Sequence, residues 1–153
     1  MSDDSLPAVA FAAALAGLDR LTPTRLLALI SAGPWSEVWR MVAGDVAASA
    51  AVSRLWSRTP LLRDEWRASA RQRPPEQVWA ACRATVTEVV VIGSSSYPEL
   101  LAVDLLPPPV LFARGDLGAL DGRRVGIVGT RNATEGGRRL SARLGRELSE
   151  AGV

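Results

Sequence analysis

The chain has no lysine and no histidine, and only one cysteine among its 153 residues. Without an imidazole, Ser-His-Asp and Cys-His nucleophilic catalysis are excluded. One cysteine with no histidine leaves no zinc-type ligand set, and Cys82 cannot close a disulfide within the chain. It sits in a helical pattern and reads as a small core residue. Long apolar runs are also missing, and nothing approaches the roughly 20 residues that a membrane-spanning helix needs. The apolar stretch from Leu6 to Leu18 follows Asp3 and Asp4, where a secretory signal would carry positive charge. A cytoplasmic location is the expectation. Aromatic residues make up only 5% of the chain, and its five tryptophans (35, 39, 56, 66 and 79) all lie before residue 80, in the part that carries helical signals. They are expected to pack a small helical core rather than to stack nucleic-acid bases.

What is present is the balance of a core-forming globular chain, 48% apolar and 22% charged, which excludes wholesale disorder. The length suits one domain or two small ones. All 18 basic groups are arginines, and they are unevenly placed. Up to residue 113 there are ten arginines against eleven acids; from residue 114 there are eight against five. Between Arg123 and Arg146 seven arginines face one acid, Glu135. Such clustering points to an anionic partner.

Helical signals fill residues 5–84. Val9, Ala10, Ala13, Ala14 and Leu18 recur at helical spacing. Thr22-Pro23 offers an N-cap and a first-turn proline, with Leu26, Leu27 and Ile30 as the apolar face behind it. Leu15 to Ile30 has the outline of a helix-hairpin-helix. Gly33-Pro34 ends that helix, Ser36 is the expected cap of the next, and Val38, Trp39 and Val42 are its inward face, with Gly44 behind. Further helices are expected over 45–56, 61–71 and from Pro75 to Ala84, with a break near 72–76.

The pattern changes at Thr87. Val89-Val90-Val91-Ile92, Val110-Leu111-Phe112-Ala113 and Val125-Gly126-Ile127-Val128 read as three short buried strands. Gly93 to Ser96 is a turn, Pro107-Pro108-Pro109 forces extended backbone, and 116–122 is a turn region with a short helical piece. A helix is expected from about Thr134 to Ala151, with Leu140, Leu144 and Leu148 on one face and Gly152 as its C-cap. Strand, Gly-bearing turn, helix and Gly form the opening of a βαβ unit whose second strand would begin at about Val153. The chain therefore reads as an N-terminal fragment of a longer protein.

The segment from Val128 to Gly137 carries the chemistry. Gly129 is expected to let the chain turn sharply at the strand end. The hydroxyls of Thr130 and Thr134 can cap the helix or donate to a phosphate oxygen. Backbone N–H groups and the helix dipole favour an anion at that end, and Arg131 adds a planar cationic fork suited to phosphate. Arg138, Arg139, Arg143 and Arg146 continue along the helix, and Glu147 and Glu150 are spaced to pair with Arg143 and Arg146. The segment is neither the G-x-G-x-x-G of dinucleotide enzymes nor a Walker A loop, which needs lysine. A capped helix with solvated arginines is the alternative reading of the same residues.

Three separated pieces, in order and spacing, resemble the bacterial DNA-processing protein family DprA (Smf). They are Tyr97-Pro98-Glu99-Leu100-Leu101; Asp104 with the run from Pro108 to Asp116; and Val125-Gly126-Ile127-Val128-Gly129-Thr130-Arg131-Asn132-Ala133-Thr134. The resemblance is strong over 88–153; residues 1–87 match in outline only. It implies an α/β architecture: a small all-α domain over 1–84, SAM- or helix-hairpin-helix-like, followed over 85–153 by the truncated start of a Rossmann-like parallel-sheet domain. It implies a non-enzymatic protein that protects incoming single-stranded DNA and loads the RecA recombinase during natural transformation and recombination. No cofactor, metal or membrane is implied, and the full-length protein would be a homodimer. Carried over by position, Gly129, Thr130 and Arg131 match the family's phosphate-contacting turn. Thr134 and Gly137 match the helix start, with Arg138 beside them. Arg114 with Gly115 matches the Arg-Gly ahead of the core strand, where a fold-supporting role is favoured over DNA contact. Thr130 replaces the usual serine and Gly136 a usual aromatic, and no glycine-rich hairpin stands between Leu18 and Pro23. The helical domain is therefore expected to serve structure or protein contact. Two other readings stay open: a nucleotide phosphoribohydrolase-type enzyme, which would need a downstream Gly-rich loop and carboxylate, and an inactive fragment.

Overall fold

The structure, a computed structural model, describes residues 6–153. Residue 5, where the expected helical run begins, lies outside them, as do Asp3 and Asp4. Six helices come first: α1 (Ala8–Ala16), α2 (Pro23–Ile30), α3 (Trp35–Ala43), α4 (Ala50–Arg58), α5 (Leu62–Gln72) and α6 (Pro75–Ala84). Then come β1 (Glu88–Val91), the one-turn helix α7 (Glu99–Ala102), β2 (Val110–Ala113), a 3-10 turn over Leu117–Asp121, and α8 (Glu135–Glu150). The order is mixed α and β, mostly helical. No helix among the described residues is long and apolar enough to cross a membrane.

Local chemistry explains most helix ends. The Thr22 hydroxyl accepts from the Arg25 amide at 3.2 Å, and Pro23 supplies a first-turn φ at no hydrogen-bond cost. Leu26 and Leu29 are the buried residues of α2, whereas Leu27 and Ile30 are only half-buried. Ser36 is not a cap: α3 starts one residue earlier, directly after Pro34. Gly44, at φ +97°, ends α3, and the amides of Gly44 and Asp45 both return to the Arg40 carbonyl. That turn displaces the next helix to Ala50, where the Ser49 hydroxyl accepts from the Val52 amide at 3.4 Å.

The chain divides into two compact units, one reaching to Arg114 and one running from Gly115 to Val153. In the first, α1 packs on α3 and α6, α3 on α5, and α2 on α4. Trp66 is fully buried at its centre, and its indole N–H donates to the Asp19 carbonyl at 3.0 Å. The Ser69 hydroxyl accepts from the Asp19 amide and from Arg73, Arg73 also pairs with the Asp19 carboxylate at 2.6 Å, and Arg20 pairs with Glu65 at 2.7 Å. The α1–α2 loop is thereby fastened to α5 across about fifty residues of sequence, with Arg20 held at φ 57°. Of the tryptophans only Trp39 and Trp66 are buried; Trp35, Trp56 and Trp79 pack partly buried against the same core. Cys82 is buried, as its helical position suggested, and burial pushes its thiol pKa up.

β1 and β2 form a two-stranded antiparallel ladder, Val90 opposite Leu111 and Val91 opposite Val110. A two-stranded antiparallel sheet stands where the opening of a parallel one is expected. Val89, Val90 and Val110 are buried, and the ladder packs against α1 and α6. Two separated motif pieces meet here: Tyr97, buried, donates its hydroxyl to the Pro108 carbonyl at 2.7 Å. That bond satisfies a carbonyl in a triple-proline run that has few other partners. Burial, aided by the charge of Asp104, raises the pKa of the Tyr97 hydroxyl.

The second unit corrects one expectation outright. Residues 125–128 form no strand: Val125, Ile127 and Val128 are 59%, 45% and 95% exposed. A β-branched run becomes a buried strand only where a neighbour supplies ladder bonds and cover, and the sheet among the described residues contains β1 and β2 alone. In α8 the leucine face forms as expected, but no residue of the helix is buried, and Leu140 and Leu144 are substantially exposed.

Candidate nucleic-acid interface

Six of the seven residues singled out in the sequence lie together in the second unit, on the turn into α8 and the helix's first turn. Arg114 is the exception, an exposed residue that closes the first unit beyond β2. The turn itself falls at Arg131–Asn132. There the Thr130 hydroxyl accepts from the Asn132 amide at 3.3 Å, a side-chain closure typical of hydroxyl residues at turns. Gly129 is not the turning residue that the sequence suggested. Its backbone has no left-handed φ, and a Cβ there would meet nothing within 4 Å. The position is simply bare.

Thr134 is the N-cap of α8. Its extended backbone (φ −62°, ψ 161°) places the hydroxyl to accept from the Gly137 amide at 3.1 Å, and its carbonyl takes the Arg138 amide at 3.0 Å. The amides of Glu135 and Gly136 have no acceptor among the described residues. Glycine at 136 and 137 adds no side chain at those two positions, and the dipole of a 16-residue helix is directed at the donors. The Thr134 hydroxyl proton remains available, because the cap uses only the oxygen.

The arginines fall into distinct groups. Arg131 is exposed and makes no hydrogen bond or ion pair among the described residues. Arg138 folds back and donates to the Ala133 carbonyl at 2.8 Å, keeping its charge next to the turn. Arg139 pairs with Glu135 at 2.5 Å and Arg143 with Glu147 at 2.7 Å, each one helical turn apart. Arg146, which the sequence matched with Glu150, makes no such pair among the described residues. Arg124 is drawn into the local backbone, donating to the Leu120 and Gly122 carbonyls. Sequence spacing could not say which of two eligible i,i+4 pairs would form.

A groove of the first unit offers a contrast. It holds about 510 Å³ and is lined mainly by small or apolar groups of Ala13, Gly17, Val78, Ala81 and Phe112. Arg73, the one cation on its wall, already serves Asp19. No group of metal-ligating side chains occurs among the described residues. The chemistry suited to a polyanion is at the start of α8.

Residues 88–153 match the model of the family described as DNA recombination-mediator protein A. The chain is also 39% identical over 98 residues to the DNA processing protein DprA of Bacillus subtilis (strain 168), an alignment that covers 59% of this chain and 33% of that protein. The chain thus spans about a third of the length of this curated relative. No solved structure matches it. The match begins at Glu88, the first residue of β1, and takes in the Tyr97–Pro108 contact, the Arg131 turn and all of α8. Residues 88–153 are thus similar both to the family described as DNA recombination-mediator protein A and to a DNA processing protein DprA.

Proposed function

We propose that the chain is part of a protein that handles single-stranded DNA in recombination, protecting the strand and passing it to the RecA recombinase. It binds without catalysing a reaction. The observation that carries this reading is the family match over the segment that holds the bare, arginine-flanked start of α8. In it, Gly129, Thr130, Arg131, Thr134, Gly137 and Arg138 receive a backbone phosphate. The unpaired amides of Glu135 and Gly136 point at the phosphate oxygens, Thr134 donates its hydroxyl proton, and Arg131 closes over the anion. Gly129 and Gly136 leave the space that a close-approaching phosphate occupies. Arg114, at the end of β2, supports the fold.

In this reading residues 85–153 are the start of a Rossmann-like domain with a parallel sheet, and residues 1–84 are a helical domain. Val125–Val128 and the leucine face of α8 are then surfaces that such a sheet covers. The α1–α2 loop does not grip DNA, since its Asp19 amide is spent on Ser69 and Arg20 is neutralised by Glu65. The helical domain serves structure or protein contact. The full-length protein is a cytoplasmic homodimer.

The test is fluorescence anisotropy of a labelled single-stranded oligonucleotide titrated with the chain at two salt concentrations. Binding that weakens with salt, and that Arg131→Ala abolishes while circular dichroism stays unchanged, supports the reading. Equal binding by wild type and the Arg131 variant removes it.

A further inference from the structure

We infer that α8 carries the DNA strand onward from the turn: the strand passes from Arg131 over Arg138 to Arg146, and Glu135 and Glu147 hold Arg139 and Arg143 out of this track. The inference rests on the reading of the turn as a phosphate site and extends it to a defined path, length and residue set.

The five arginines from Arg131 to Arg146 differ in how they are paired. Two are neutralised by carboxylates one turn away, at 2.5 and 2.7 Å. Arg138 bonds only a neutral carbonyl, and so keeps its full charge and its remaining donors. Arg131 and Arg146 hold no intramolecular partner among the described residues. A guanidinium already paired with a carboxylate must give up that partner to meet a phosphate; an unpaired one need not.

Helical geometry places the unpaired pair on one side. At about 100° per residue, Arg138 and Arg146 lie about 80° apart around the axis and roughly 12 Å apart along it. Leu140, Leu144 and Leu148 occupy the opposite side. At about 3.4 Å per stacked nucleotide, 12 Å accommodates three to four nucleotides. Beyond Arg146 come Glu147 and Glu150, next to the negative end of the helix dipole, and they terminate the track.

The test uses this chain and a fluorescein-labelled oligothymidylate, with the dissociation constant measured by anisotropy across a salt series. Three neutralised phosphates correspond to a log–log salt slope of about −2 for a single strand. Arg146→Gln is expected to weaken binding about threefold to tenfold and to bring the slope to about −1.4. Glu135→Gln frees Arg139 and is expected to strengthen binding and steepen the slope to about −2.8. Glu150→Gln changes net charge equally but frees no arginine, and leaves the slope unchanged. If Arg146→Gln binds like wild type while Arg131→Ala does not bind, the turn is a phosphate site and the track is wrong. If Glu150→Gln matches Glu135→Gln, general charge and not release of Arg139 explains the gain, and the gating role of Glu135 is overturned. If wild type does not bind, or Arg131→Ala binds like wild type, the reading of the turn fails and the track fails with it.

Discussion

Thr134 is a helix cap and, in the proposed function, a phosphate donor, and a small set of substitutions can separate the two. As the N-cap of α8 it accepts the Gly137 amide at 3.1 Å. In the proposed function it also donates to a phosphate. Thr134→Ala removes both, and the lost cap costs about 1 kcal/mol. Because α8 buries none of its residues, little tertiary packing offsets the loss, and a 16-residue helix is near the length at which isolated helices become marginal. A change of about 1 kcal/mol is roughly fivefold in the helix equilibrium, visible as lower far-UV ellipticity. Thr134→Ser keeps cap and donor and is expected to change neither property. Thr134→Asp is the informative variant. A carboxylate is at least as good a cap and gains about 0.3–1 kcal/mol from the dipole, so ellipticity holds or rises. That carboxylate also stands beside the amides a phosphate needs, and at about 4 Å it repels the anion by roughly 1–4 kcal/mol before salt screening. Affinity for a single-stranded oligonucleotide is expected to fall about fivefold or more while the helix is intact. An Asp variant with native ellipticity and native affinity would refute the placement of a phosphate at this helix start.

Other expectations concern the scaffold. Gly44→Ala and Gly93→Ala both place a side chain at left-handed φ, +97° and +83°, which costs about 1–2 kcal/mol. Only at Gly44 does the new Cβ also meet the Arg67 guanidinium, 3.1 Å from its buried and unpartnered Nε. Urea denaturation should therefore show the larger midpoint loss for Gly44→Ala, and equal losses would mean that the contact is immaterial. Trp66→Phe removes the indole bond to the Asp19 carbonyl inside the core and is expected to cost about 1–3 kcal/mol, whereas Asp19→Asn weakens a largely exposed ion pair and costs no more than about 1 kcal/mol. The Cys82 thiol and Tyr97 hydroxyl hold their protons to higher pH in the folded chain than in the unfolded one. Their contribution to stability is complete below their ordinary pKa values and is lost as pH rises through the raised folded values. Thermal unfolding between about pH 8 and pH 11 should show a decline that is shallower in Cys82→Ala.

The start of α8 was largely legible beforehand because its determinants are local. A hydroxyl residue three positions before the glycine whose amide it accepts is a sequence-level cap, and Thr134 fills that role. The same holds for Thr22-Pro23 and for the prolines that open α6. Ser36 failed as a cap because Pro34 starts the helix sooner, and Gly129 failed as a turn residue because the Thr130 hydroxyl closes the turn further on. The short helix α7 gave no signal: its four residues sit behind Pro98 without a helical repeat to reveal them.

By itself, the sequence determined the helical first half, the extent of β2, the cap of α8 and the likeness of residues 88–153 to a known family. Each depends on neighbours within a few positions or on the order of short motifs. The tertiary structure alone decided that β1 and β2 run antiparallel, that Val125–Val128 finds no ladder, and that Asp19 is fastened to α5 across about fifty residues. It also decided that Glu147 captures Arg143 while Arg146 pairs with no acid among the described residues. The physical reason is common to all four: a strand's pairing, a loop's anchor and an arginine's charge partner are chosen by what stands opposite in space, and linear spacing shows only which partners are within reach.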